Sequence, residues 1–504
     1  MSSNRSSGIL CHVTSLPSAD GIGNLGESSR QWLDFLAATG CNYWQILPLG
    51  PTGFGDSPYQ VFSAFAGNPM LISLADFCDE GYFKKNELTP PYAVEDEEVH
   101  FLEVSQWKEQ KLRILYQRYQ SKIDPDLDKE ISTFAANNEF WLADYCLFMA
   151  IKNKFNRHPW HMWPAEYRFR DEAALQRARD EMAEEINYQQ FLQFIFHAQC
   201  LQMRQYAKSK NINLIGDIPL YVAFDSADVW SQPDLFQLNQ DRIPAFVAGV
   251  PPDYFSSTGQ RWGNPVYRWD VLEASHFDWW VKRIRHTVNY VDLIRLDHFR
   301  GLAAYYSIPS IYPTAENGVW IPAPGQELLQ TIQDKLQVLP FIAEDLGVIT
   351  PDVTALRDNF NLPGMRIFQF GFGVMEESIH KPSIYVENCV AYTGTHDNET
   401  TLGWFKLQKA EVQREVLEYL NLTSTHNLVL TCIDRLWSSQ AYLTLAPIQD
   451  FLQLGNEARM NLPGTVGGNW KWKLKDWQQI EPLVQLIAQL NQTHRRGNNP
   501  DKNS

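Results

Sequence analysis

Short, continuous apolar runs bounded by turn-forming residues punctuate the chain at 43–47, 213–216, 291–296, 340–343, 364–370, 389–393 and 441–447, and 8–13 would be one more if it forms a strand. Runs this short, with no polar alternation, are the pattern of strands covered on both faces. Between them the apolar positions change to helical spacing, as in 28–38, which Gly40 closes as a helix-ending residue. Strand followed by helix, repeated, predicts an α/β fold with a parallel sheet, either open or closed into a barrel.

Two stretches interrupt that rhythm. Residues 86–182 are mostly polar and helical in pattern, with clear helices at 102–120 and 139–154. Residues 221–277 are rich in Pro, Gly and aromatics and show little periodicity. Connections this long are subdomains or functional loops, so both are read as insertions after strands. The expected organisation is a single catalytic domain over 1–490, insertion subdomains at about 86–182 and 221–277, and a polar tail at 491–504. Residues 493–504 of that tail are expected to be disordered.

Composition narrows the partners. A formal net charge of −16 opposes binding to nucleic acid, which needs clustered Lys and Arg, and opposes adsorption to an anionic membrane. No run is long and apolar enough for a signal peptide or a spanning helix. Seven cysteines without a CxxC pair read as scattered reduced thiols, which points to a cytoplasmic protein. Aromatic residues make up 13% of the chain and suit sugar faces as well as cores.

Two motifs suggest chemistry and fail on context. Gly21-Ile22-Gly23-Asn24-Leu25-Gly26 matches GxGxxG, but residues 16–20 separate it from the preceding apolar run, and the next strand carries no carboxylate for a ribose. His158 and His161 stand at metal-ligand spacing with no third ligand nearby. No cofactor and no metal is expected.

Four segments place carboxylates where apolar runs end: Gly216-Asp217-Ile218-Pro219, Arg295-Leu296-Asp297-His298, Ala343-Glu344-Asp345-Leu346-Gly347 and Gly394-Thr395-His396-Asp397-Asn398. In an α/β barrel, active sites form at that end of the strands. Hydrolysis or transfer at a glycosidic bond needs one carboxylate to attack the anomeric carbon and one acid to protonate the leaving oxygen. Arg295 lies two residues before Asp297 and therefore on the same side of the strand, so Asp297 suits the nucleophile with Arg295 as its cation. Glu344 suits the acid/base. Asp397 is left to bind sugar hydroxyls and stabilise the transition state, with His298 and His396 as hydrogen-bonding partners of the same sugar.

These segments resemble the signature stretches of the α-amylase clan, and more specifically those of the 4-α-glucanotransferase (amylomaltase, or disproportionating enzyme) family. Ser15-Leu16-Pro17 with Gly21 to Gly26, Leu47-Pro48-Leu49-Gly50-Pro51, Asp56-Ser57-Pro58-Tyr59-Gln60, Asn68-Pro69, Asp297-His298-Phe299-Arg300-Gly301 and Ala343-Glu344-Asp345-Leu346-Gly347 carry the likeness over roughly residues 8–480. Leu220-Tyr221 stands where amylases commonly have Asn-His, which favours the narrower family.

The resemblance implies a (β/α)8 barrel with large, mainly helical insertions and transfer of α-1,4-glucan segments through a covalent glycosyl-Asp intermediate. The donors and acceptors would be maltooligosaccharides, amylose and glycogen or starch chains, with glucose also an acceptor. It implies Asp297 as nucleophile, Glu344 as acid/base and Asp397 as stabiliser. Asp217, Arg295 and His396 would line the central subsite, Tyr59 would stack under its sugar, and Ser57, Trp262 and Asn264 would belong to the flanking sugar contacts.

Residues 250–256 form a candidate cover, with Tyr254 and Phe255 as aromatics able to shield a glucan from water. Phe370 is a further candidate sugar contact. The chemistry of the residues alone leaves three outcomes open: transfer, hydrolysis, or a catalytically silent glucan-binding barrel. The family resemblance selects transfer.

Overall fold

All eight apolar runs become strands, and the strands close on themselves. The computed structural model describes residues 5–252, 256–374 and 378–497. Strands β1 (Ser6–Leu10), β2 (Tyr43–Gln45), β3 (Asn213–Pro219), β4 (Leu293–Asp297), β5 (Phe341–Ala343), β6 (Gly364–Ile367), β7 (Cys389–Tyr392) and β8 (Leu443–Pro447) pair with their sequence neighbours, and β1 pairs with β8. Every pairing is parallel. The fold is a (β/α)8 barrel.

The pleat sorts side chains onto two surfaces. Ile215, Ile342, Met365, Ile367, Val390, Tyr392, Leu443 and Leu445 fill the interior, where Tyr392 Oη donates to Gln45 Oε1 at 2.9 Å. The alternate positions, among them Trp44, Leu214, Ile294, Leu296, Phe341 and Ala391, pack outward under the helices. Both faces are therefore apolar, which is why these strands read as unbroken runs.

Helix Glu27–Thr39 ends at Gly40 with φ 75°. The glycine motif that follows β1 serves packing: a Cβ on Gly23 would stand 1.8 Å from the Val13 carbonyl oxygen. The connection from β2 to β3 carries helices Phe101–Ser121, Pro125–Asn137, Glu139–Lys154 and Glu172–Glu181, and returns to the barrel along Ala183–Ser209.

The stretch after β3 holds a feature its periodicity does not announce. Strands Phe246–Val250 and Gln260–Pro265 join Ala304–Pro309 and Val319–Pro322, from the β4 connection, in a four-stranded antiparallel sheet. Ala304–Pro309 and the middle of Phe246–Val250 are buried, but Gln260–Pro265 and Val319–Pro322 are short and partly exposed, so no regular alternation runs through the sheet.

Each strand differs from its run by a residue or more, and two of these differences bear on the site. β3 continues to Pro219, which puts Asp217 inside the strand. β6 stops at Ile367 and a 3-10 turn, Phe368–Gly371, replaces its expected end. Phe368 and Phe372 leave the strand to pack with Trp404, Phe405 and Leu428.

The seam between β1 and β8 is held by the chain's other end. Helix Leu483–His494 leads to a buried Arg496, whose guanidinium donates to the carbonyls of Trp437, Ser6, Ala441 and Ser439 at 2.6 to 3.0 Å. Asn491 and Arg496, at the start of the stretch read as a polar tail, are thus buried in the fold.

Among the described residues no helix is long and apolar enough to cross a membrane, and no group of three or more His, Cys, Asp or Glu side chains is arranged to hold a metal ion.

Candidate active site

The register of β3 and β4 builds the centre of the site. Asp217 and Arg295 are ladder partners, as are Pro219 and Asp297. Registered residues on adjacent parallel strands share a face, so Asp217, Arg295 and Asp297 lie along one inner wall. Arg295 Nη1 donates to Asp217 Oδ2 at 2.8 Å and Oδ1 at 3.0 Å, while Nη2 is paired with Asp297 Oδ1 at 2.9 Å. The Asp217 side chain is 0% exposed and that of Asp297 is 29% exposed. One guanidinium thus joins a carboxylate inside the barrel to a carboxylate at its mouth.

Glu344 follows β5 directly and reaches across to the β4 turn. Its Oε2 accepts from the His298 backbone N–H at 2.8 Å and its Oε1 from that of Leu346 at 3.2 Å. Burial pushes the Glu344 carboxyl well above the usual range and the Asp297 charge adds to this; Arg295 and the His298 N–H pull the other way without reversing it. The surroundings favour its protonated form.

The β7 turn supplies His396 and Asp397. Asp397 Oδ1 accepts from Asn461 Nδ2 at 2.6 Å, and Oδ2 lies 3.3 Å from His396 Nε2. Burial alone would push this carboxyl up, but His396 and Asn461 outweigh it and hold Asp397 well below the usual range. Glu344 and Asp397 are therefore driven in opposite directions, a separation that acid–base chemistry uses.

Tyr59 closes the ring of contacts. Its hydroxyl donates to Asp217 Oδ2 at 3.0 Å and lies 2.8 Å from His396 Nε2, and its ring stacks on His396 at 5.3 Å. Ser57 turns the chain beneath it, its Oγ accepting from the Tyr59 N–H at 3.2 Å. A continuous path runs from Asp397 through His396, Tyr59, Asp217 and Arg295 to Asp297. Asp217 sits out of solvent behind Arg295, and burial, reinforced by Asp297, pushes its carboxyl up to about 6.

His298 follows Asp297 at the end of β4 with φ 56°, its ring edge-on to Trp262 at 4.8 Å. Burial, with Arg300 adding, pushes it down to about 3, so its imidazole is neutral. Its Nε2 has no protein partner among the described residues. Asn264 lies deeper: its amide donates to the Val222 carbonyl at 2.8 Å and its Oδ1 accepts from Gln60 at 3.3 Å, which ties the small sheet to the Tyr59 turn. Phe370 is partly exposed past β6, edge-on to His380 at 5.6 Å. Tyr254 and Phe255 lie outside the described residues.

Sequence reasoning missed four residues here. Asn461 holds Asp397, Arg459 holds Asn461, Trp470 packs 5.9 Å from His396, and His12 accepts the Leu47 N–H on Nδ1 at 3.2 Å. Asn461, Arg459 and Trp470 lie in the irregular chain after β8, where no periodicity marks a residue. His12 falls inside the first apolar run and reads there as part of a strand.

A parallel barrel whose C-terminal mouth gathers carboxyl groups with opposed proton affinities, flanked by aromatic rings, defines a (β/α)8 enzyme of carbohydrate chemistry. The family model for 4-alpha-glucanotransferases, Glyco_hydro_77, matches residues 11–479, and the chain belongs to that family.

The chain is 45% identical over 487 residues to a 4-alpha-glucanotransferase of Synechocystis, covering 95% of this chain and 96% of the relative. It is 44% identical to that of Thermus thermophilus, covering 93% and 95%. Among solved structures, the amylomaltase of Streptococcus agalactiae in complex with acarbose superposes with a TM-score of 0.94 at 38% identity, over 98% of this chain and 100% of that one. The reaction is glucan transfer: a segment of an α-1,4-glucan is moved to a new acceptor chain.

Proposed function

We propose that Asp297, Glu344 and Asp397 carry this transfer as nucleophile, acid/base and stabiliser. The observation that carries the assignment is the contrast between Glu344, a half-buried carboxyl driven toward its protonated form, and Asp297, paired with Arg295 at 2.9 Å. Asp297 attacks the anomeric carbon, the bond from that carbon to the glycosidic oxygen breaks, and Glu344 gives that oxygen its proton. A glucan 4-hydroxyl then enters; Glu344 takes its proton as its oxygen displaces Asp297 from the anomeric carbon. Asp397, held by His396 and Asn461, faces the positive charge that develops on the ring.

Arg295, Tyr59, Ser57, His298, His396, Trp262, Asn264 and Phe370 border the path a glucan takes, with Asp217 behind them as the anchor of Arg295 and Tyr59. Tyr254 and Phe255 serve as cover that keeps water from the intermediate until an acceptor docks. Donors are maltooligosaccharides and longer α-1,4-glucans; acceptors are the same chains and glucose. The S. agalactiae amylomaltase holds acarbose, a ligand consistent with such a site. We assign the work to a single catalytic domain with insertions and to the cytoplasm, in keeping with a net charge of −16 and seven unpaired cysteines.

The test is trapping. A 2-deoxy-2-fluoro or 5-fluoro maltosyl fluoride, which slows breakdown of the intermediate, labels one carboxylate identifiable by peptide mass. Label on Asp297 supports the assignment; label on Asp397 or Glu344 overturns it.

A further inference from the structure

Asp397 is aimed by a residue from another strand's connection. Asn461 Nδ2 reaches its Oδ1 at 2.6 Å, yet Asn461 lies on chain without regular secondary structure, where a side chain is not placed by a helix or a strand. What holds it is a neighbour. Arg459 Nε donates to the Asn461 carbonyl at 2.7 Å, Nη2 to the Asp397 carbonyl at 2.7 Å, and Nη1 to Glu399 Oε1 at 2.7 Å. The Asn461 N–H donates to the His396 carbonyl at 3.1 Å, and Gln369 Nε2 fixes the Glu399 carbonyl at 2.9 Å. The Arg459 and Glu399 side chains are 16% and 29% exposed, so their pairing is half-buried.

A guanidinium presents donors in one plane and in fixed directions, and this one spends each of its three nitrogens on a different acceptor. Two of those acceptors lie on the β7 turn and one on the β8 connection. The arrangement clamps the two loops in the register that puts Asn461 against Asp397.

We propose that Arg459 is a positioning residue for Asp397: its planar guanidinium locks the β7 and β8 loops together and so fixes the direction of the carboxylate that Asn461 holds. Lysine in its place supplies the charge but cannot span three divergent acceptors. The Arg459 bonds to the Asn461 and Asp397 carbonyls belong to one clamp whose hold on the carboxylate oxygen is Asn461, so loss of both residues adds little to loss of either.

The inference rests on Asp397 facing the reacting sugar, and the experiment separates the two claims. Initial rates on maltotriose are measured for Arg459→Lys, Asn461→Ala, the double variant and Asp397→Asn, with melting temperatures alongside. Arg459→Lys and Asn461→Ala are expected each to lose about 30- to 100-fold in kcat, the scale of an ångström-sized misplacement, with KM within about threefold. The double variant is expected to fall no further than the worse single. Wild-type kcat in Arg459→Lys, or losses that multiply in the double variant, would overturn the clamp. An active Asp397→Asn would instead remove the role of Asp397 itself. If Asn461→Ala fails to fold, Arg459→Lys with its KM and kcat compared still decides the matter.

Discussion

Arg295 and Asp217 face each other across the β3–β4 ladder, with Nη1 2.8 Å from Oδ2 and the Asp217 side chain wholly out of solvent. The pair sets how much of the guanidinium's charge is left for Asp297. Removing Asp217 leaves Arg295 with Asp297 alone and strips the buried side of the pairing, at a cost of up to about 3–5 kcal/mol. Asp217→Ala is therefore expected to be destabilised on that scale and to lose kcat. Adding Arg295→Met restores much of the melting temperature while activity stays lost. Calorimetry and initial rates on both variants check it; a double variant no more stable than the single would contradict the pairing argument.

Glu344 is needed only when the leaving group needs a proton. Glu344→Ala is expected to lose at least about 10³-fold on maltotriose, within the usual span of acid–base assistance. It keeps far more of its rate with α-maltosyl fluoride, whose fluoride departs unprotonated. Because burial raises the Glu344 carboxyl, wild-type kcat is expected to fall as pH rises through that raised value, at a higher pH than an ordinary carboxyl would give. Rates on both donors across pH measure this, and equal losses on the two donors would refute it.

The Asp397 carboxyl is depressed in the folded state. A depressed acid contributes stability that is present above its unfolded value, near 3.9, and lost as pH falls below it. The melting-temperature advantage of wild type over Asp397→Asn is expected to be largest at neutral pH and to shrink on acidification toward pH 3. An advantage that grows with acid would reverse the sign.

Arg496 closes the barrel seam without touching the site. Arg496→Ala leaves buried carbonyls of Trp437, Ser6, Ala441 and Ser439 without a donor and is expected to cost about 2–4 kcal/mol. At temperatures where both proteins are folded, kcat is expected to be unchanged. Thermal melts and rates at 25 °C test both halves.

Much of this was legible because periodicity and chemistry coincide. The eight runs that form the barrel are apolar on both faces, so each stands out, and Arg295 and Asp297 fall on one side of β4 by spacing alone. The Tyr59–Asp217 contact was not legible as a contact: it joins residues 158 apart, and only barrel closure brings them together. The small antiparallel sheet was missed because its four short strands come from two separate connections and two of them, Gln260–Pro265 and Val319–Pro322, are half-exposed without alternation. Asn461 and Arg459 were missed because an irregular connection gives no sign of where its side chains point.

Substitution of Tyr254 and Phe255 by Ala is expected to raise the ratio of hydrolysis to transfer, since water then competes with the acceptor. Reducing ends counted against chain-length redistribution give the ratio directly. An unchanged ratio would leave acceptor docking, not cover, as the source of transfer.

The most direct test of the whole account is to incubate the pure protein with maltotriose and resolve products by chain length over time. Glucose together with a ladder of longer oligomers, at constant total reducing ends, is the predicted result. Glucose and maltose alone, with reducing ends rising in step with cleavage, would contradict it.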